Sequence, residues 1–346
     1  MKKIMRVGYV VAAAAVLFSG CASTVRNYGP DDHFSSTEAA SGSSSTREQC
    51  ARINDAVWIE GRTFQECIRY FPSKDFSNGA VRKVIVFMAG DILSTSGVSA
   101  AYPAGTPRKR VEKADLEQSR GGTAYLILGR PGTDGSSGNQ NWRRTQYETL
   151  VINAALDKIK SRYGIEEYGL IGQSGGGGLV GALIAERQDV LCAVSSSGVT
   201  AVKYRVIAAG RSSDYTGKSM AEIWDPVEQL DRVHPMPGFR MFVTSDQRDA
   251  DVGFSSQDHY VQAAKKMKLP ITQIMVLATG AVHHQTFGIG NRVVEDCMLG
   301  LSTDYIFRTY SGMSNDYPHM EELAHKAQVQ AGQERINQEG AQIENK

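Results

Sequence analysis

The chain has 346 residues, 41% of them hydrophobic and 22% charged, with a formal net charge of +1. This is ordinary globular composition with ample material for a sizeable core. The near-neutral balance and the lack of a Lys/Arg-rich run give no footprint for nucleic acid, so the chemistry must lie in local motifs.

The first residues read as an export signal rather than as part of a fold. Lys2, Lys3 and Arg6 form a positive head, and Val7 to Phe18 is apolar but short for a bilayer span. The small residues Ser19 and Gly20 then precede Cys21, which places cleavage before the cysteine. The run Leu17-Phe18-Ser19-Gly20-Cys21 resembles a bacterial lipobox, with Phe18 where that pattern prefers Leu. The resemblance implies a lipid on the Cys21 sulfur and a chain anchored to the cell envelope, with Ala22 suiting the outer membrane. Residues 21–47 are Ser-, Thr-, Asp- and Gly-rich, a composition expected of a flexible tether. Residues 313–346 form a polar tail, helical or disordered, to which no chemistry is assigned.

Between these ends, residues 48–312 read as one domain. Ala56 to Ile59 and Glu66 to Tyr70 suggest an antiparallel edge. From Ala80 onward short apolar runs alternate with longer amphipathic ones, the signature of a doubly wound, mostly parallel α/β sheet. Strands are expected at Val84 to Met88, Ala124 to Leu128, Tyr168 to Ile171, Val190 to Val194, Phe239 to Val243 and Thr272 to Leu277. Helices are expected over Tyr147 to Tyr163, Leu179 to Ala185 and Ser255 to Met267. Cys50 and Cys67 bracket a short segment and are expected to pair, closing a loop of about 15 residues for about 3 kcal/mol in the chain-entropy model. Cys192 lies in an apolar run and reads as a buried free thiol. No Cys/His cluster has metal-ligand spacing, so neither a metal nor a cofactor is expected.

Gly172-Gln173-Ser174-Gly175-Gly176 fits G-x-S-x-G between a strand and an apolar helix, the setting this motif needs. A phosphate-binding loop is the rival reading, but no Lys follows and no GxGxxG spacing leads the first βα unit. The segment resembles the nucleophile elbow of α/β hydrolases, in particular prolyl-oligopeptidase-like catalytic domains, and the likeness covers most of residues 80 to 300. Its other carriers are Val84 to Asp91, the Gly129-to-Gly138 loop, Asp225-Pro226, and Asp249 to Val252.

The resemblance implies an α/β-hydrolase fold with a small cap, and a Ser, acid, His triad in that chain order. Ser174 is then the nucleophile. Asp249-Ala250-Asp251-Val252 is similar to the family's D-x-x-V-P pattern, with Gly253 replacing Pro, so Asp249 is the acid and Asp246 the alternative. His283 and His284 both follow a strand end; His283 is taken as the base, with His284 as the alternative. The amides of Gly175 and Asp91 are the expected oxyanion donors, although Ala89 stands where the family often has His. The implied activity is hydrolysis of a small ester, or of an amide or peptide bond, with an ester preferred. A hydrolase-fold binding or scaffold protein without turnover is the alternative. The region from Thr200 to Glu222 is the only room for a cap.

Overall fold

A computed structural model describes residues 23–316. The signal segment, Cys21 and most of the polar tail lie outside the described residues. Eight strands form the main sheet: β1 Ala56–Glu60, β2 Gln65–Pro72, β3 Lys83–Met88, β4 Ala124–Leu128, β5 Glu167–Gln173, β6 Val190–Ser196, β7 Arg240–Ser245 and β8 Ile271–Met275. Their spatial order is β1-β2-β4-β3-β5-β6-β7-β8. From β4 to β8 all pairings are parallel, while β2 runs antiparallel to both its neighbours. This is the doubly wound sheet of an α/β-hydrolase fold, with the crossing of β3 and β4 in its strand order.

The strands are legible because both faces of the sheet are covered, so their sequences are nearly continuous apolar runs. Along β3, Val84, Val86 and Met88 enter one core, while Ile85 and Phe87 enter the other. Helices α1 Pro107–Gly121 and α2 Gln146–Tyr163 follow β3 and β4, and α3 Gly175–Leu183 follows β5. The short α4 Val202–Ala208 lies in the expected cap region, and α5 Phe254–Lys266 precedes β8. Helices α6 Phe287–Met298 and α7 Thr303–Tyr310 close the domain on the α1 face.

Two expectations are corrected. The segment read as a flexible tether carries buried residues from Val25 onward. Phe34 is fully buried, edge-on to Tyr28 and Phe71 and stacked on Tyr102. Burying one such ring is worth about 1.5–3 kcal/mol, and Ser43 adds backbone hydrogen bonds to Gly138 in both directions. A few large side chains thus offset a composition that is polar on average. Cys192 is not a free thiol: it is joined to Cys297, bringing β6 and α6 together across 105 residues. That partner lies on a helix the sequence reading did not identify. Cys50 and Cys67 are joined in the structure. Among the described residues no helix is long and apolar enough to cross a membrane.

Candidate active site

β5 ends at Gln173 and α3 begins at Gly175, so Ser174 alone makes the turn between them. Its φ is 55° and its ψ is −119°, a backbone state that costs a non-glycine residue about 1–3 kcal/mol. The surroundings hold it there. Its N–H donates to the Ser196 carbonyl at 2.9 Å, and its own carbonyl accepts from Gly178 and Val199, each at 3.0 Å. The turn is tight enough that a Cβ at Gly172 would overlap the Gly176 backbone, and one at Gly176 would overlap the Met88 carbonyl. The result is a half-buried serine at the C-terminal edge of the sheet, lining a cavity of about 250 Å³.

Asp249 sits in the loop after β7 with its carboxylate wholly buried. Its Oδ1 accepts from the amides of Asp251 at 3.0 Å and Val252 at 2.8 Å, while Gln257 Nε2 reaches Oδ2 at 3.2 Å. His284 Nδ1 donates to Oδ2 at 2.9 Å. With Nδ1 committed to the carboxylate, the tautomer assigned by this contact leaves Nε2 as the acceptor. Nε2 makes no hydrogen bond and lies 3.4 Å from Asp251 Oδ2 without hydrogen-bond alignment. Ala250 N–H donates to the Val282 carbonyl at 2.9 Å, tying the acid loop to the histidine loop.

The sequence preference for His283 over His284 is therefore reversed. His283 occupies the tip of the tight loop that Thr279 and Gln285 close, with φ 51°, and its buried Nδ1 has no partner. A one-residue offset at a tight turn is invisible to chain order and spacing. Asp246, the alternative acid, meets neither histidine. Its Oδ2 takes Arg248 Nη2 at 2.7 Å and the Ala278 amide at 2.8 Å. Burial disfavours its charge, but Arg248 and the two backbone amides outweigh burial and hold its pKa down to about 2.

One link joins the pair to the elbow. Gln173, the residue before Ser174, donates through Nε2 to the His284 carbonyl at 2.9 Å, and its Oε1 accepts the Thr286 amide at 3.2 Å. Sequence reasoning passed over Gln173 because the motif leaves that position free. No hydrogen bond involves Ser174 Oγ among the described residues.

The amides of Gly175 and Asp91 have no partner within the described chain. The Asp91 side chain is the unexpected part. Its carboxylate abuts the Gly175 Cα so closely that any Cβ there would overlap Oδ1. Arg130 Nη1 contacts Asp91 Oδ1 at 2.8 Å, Arg144 Nη2 contacts Oδ2 at 2.6 Å, and Arg143 Nε lies 3.3 Å from Oδ2. Burial opposes the charge, yet the three guanidinium groups hold this carboxyl far below the usual carboxylate range. Arg130 also donates to the Ala89 carbonyl at 3.1 Å, so it fixes the loop after β3 from both sides of Gly90. Arg130 was legible only as part of the Gly-rich loop, and nothing in the sequence signalled its pairing with Asp91. Among the described residues no group of three or more His, Cys, Asp or Glu could hold a metal ion.

No family model matches the sequence, and no curated protein matches it either. Solved structures with a similar chain course include Est1E from Butyrivibrio proteoclasticus, at 13% identity and a TM-score of 0.48, covering 72% of this chain and 99% of that one. An esterase of Pyrococcus furiosus is 13% identical with a TM-score of 0.49, covering 71% and 90%. The Pyrococcus horikoshii acylaminoacyl peptidase is 13% identical with a TM-score of 0.46, covering 64% of this chain and only 36% of its own length. At these levels the likeness says nothing of what this chain acts on.

Proposed function

We propose that the chain is a serine hydrolase that cleaves esters, and secondarily amides or peptides, through an acyl-serine intermediate. The observation that carries the reading is the buried Asp249–His284 pair, in which Nε2 makes no hydrogen bond and the His284 backbone is clamped by Gln173 beside the strained Ser174. His284 Nε2 takes the Ser174 proton as Oγ bonds to the substrate carbonyl carbon. The amides of Gly175 and Asp91 stabilise the oxyanion that forms. His284 then protonates the leaving alkoxide or amine as its bond to the carbonyl breaks. A water attacks the acyl-enzyme by the same route and releases the acid. The missing Ser174–His284 hydrogen bond is compatible with this, since such contacts commonly tighten only around substrate.

The same reading places the enzyme outside the cytoplasm, anchored through a lipid on Cys21. Two disulfides support an oxidising compartment. Metabolic labelling with an alkyne fatty acid should mark the protein and be lost in Cys21→Ala; labelling that persists in the variant would rule out that anchor. For the chemistry, para-nitrophenyl butyrate should be turned over by the wild type and not by Ser174→Ala. Equal rates from the two proteins would remove Ser174 from the mechanism.

A further inference from the structure

The cavity at Ser174 is lined by Arg143, Arg144 and Arg205 together with apolar Leu93, Val199 and Val252. Summed charge around it is balanced, with four guanidinium groups (Arg130 included) facing Asp91, Asp214, Glu148 and Asp251. The pairing is not balanced. Asp91 is held by three arginines, Asp214 by Arg144 and the turn it caps, and Glu148 by Arg130 and the Arg144 amide. Asp251 is more than half exposed, and its Oδ2 lies 3.4 Å from His284 Nε2. Among the described residues, Arg205 alone of these cations makes no ion pair; its side chain's one hydrogen bond there is from Nη2 to the Asp251 carbonyl at 2.7 Å.

Arg205 is also placed rather than loose. Asp225 accepts the amides of Val202 and Lys203 at 2.9 and 2.7 Å and so fixes the start of α4. Val202 and Val206 pack against Val199, Ile223 and Val252, which seats α4 on the segment that follows the acid. The Tyr215 ring lies under the Arg205 guanidinium at 5.6 Å from its centroid, a flat platform that restrains a planar cation. A half-buried guanidinium that lines the small cavity containing Ser174, with two nitrogens making no hydrogen bond among the described residues, can receive a planar anion.

We infer that the substrate carries a carboxylate, which Arg205 binds within the Ser174 cavity while the serine attacks the ester carbonyl. Arg205 is thereby the residue that sets specificity for small anionic esters. This rests on the hydrolase reading, and the test separates the two. Two substrate pairs place the charge on either side of the scissile bond. They are para-nitrophenyl hydrogen adipate against its methyl ester, and meta-carboxyphenyl butyrate against its methyl ester.

With the full chain, kcat/KM should favour the charged member of at least one pair by about tenfold, the scale of one charge-assisted hydrogen bond. Arg205→Gln should collapse that ratio, and Arg205→Lys should retain much of it. No preference in either pair, or a ratio indifferent to Arg205→Gln, overturns the inference. Calorimetric binding of the same esters to Ser174→Ala reads the anion site without turnover. If the wild type hydrolyses none of the four, the hydrolase reading falls. The binding ratio in Ser174→Ala, with and without Arg205→Gln, then still supports or overturns the anion site by itself.

Discussion

At the scale of single residues, the two adjacent histidines separate cleanly. His284 has a buried carboxylate on Nδ1 and a buried Nε2 without a hydrogen bond, while His283 has no carboxylate contact among the described residues. On this account His284→Ala lowers kcat by about 10²–10⁴-fold, the usual worth of a general acid–base, and His283→Ala leaves it within the same order of magnitude. Steady-state ester kinetics on both variants checks this, and the reverse pattern would restore His283. Asp91 makes a second residue-level claim. Its charge beside Gly175 is tolerable only because three guanidinium groups neutralise it; Asp91→Ala leaves Arg130 with Glu148 but strands the buried Arg143, whose one ion pair among the described residues is to Asp91. Removing one partner of such a cluster costs about 3–5 kcal/mol, which urea unfolding would register. The strand-to-helix turn at Ser174 was legible from its motif and setting. The choice between neighbouring histidines was not, because it depends on which residue a seven-residue loop turns toward the acid.

At the scale of elements, the strands were readable and several helices were not. A strand covered on both faces announces itself as an apolar run; Val84 to Met88 and Ala124 to Leu128 coincide with β3 and β4 almost residue for residue. Helix α1 has the sequence PRKRVEKADLEQSRG, whose buried positions include Pro107, Glu117 and Gln118, so no apolar stripe marks it. Helix α6 begins Phe-Gly-Ile-Gly, where two glycines break the helical signature. One of them, Gly290, is needed because a Cβ there would overlap Ser196 Oγ. With α6 unread, the partner of Cys192 was unreadable too. That disulfide closes a span of 105 residues, for which the chain-entropy model gives about 4.7 kcal/mol at a similar loop length. The double variant Cys192→Ser/Cys297→Ser should lose several kcal/mol in denaturant unfolding. Unchanged stability would mean that the bond does not form or does not constrain the unfolded chain.

At the scale of the whole molecule, the eight-strand order brings the ends of β5, β7 and β8 to one edge, and the loops after them supply Ser174, Asp249 and His284. Alternating composition was enough to foresee the layers, but the packing of residues 25–47 onto them was hidden by a polar average. The cap helix α4 links this architecture to pH. Asp225 is fully buried at the start of α4, and burial outweighs its hydrogen bonds and raises its pKa from 3.8 to about 6. A raised carboxyl pKa means that the folded state holds the proton more tightly than the unfolded state. Its contribution is therefore fully present below about pH 4 and is lost as pH rises through about 6, up to about 3 kcal/mol in all. Asp225→Asn should flatten that part of the stability curve, and an identical pH dependence in the two proteins would contradict the assignment. The claim on which the rest depends is that Ser174 is activated by His284 and Asp249. Labelling the full chain with a fluorophosphonate probe, followed by mapping of the modified peptide, tests it most directly. The account predicts a single adduct on Ser174, absent in Ser174→Ala and strongly slowed in His284→Ala. No adduct on the wild type, or equal labelling of Ser174→Ala, would contradict it.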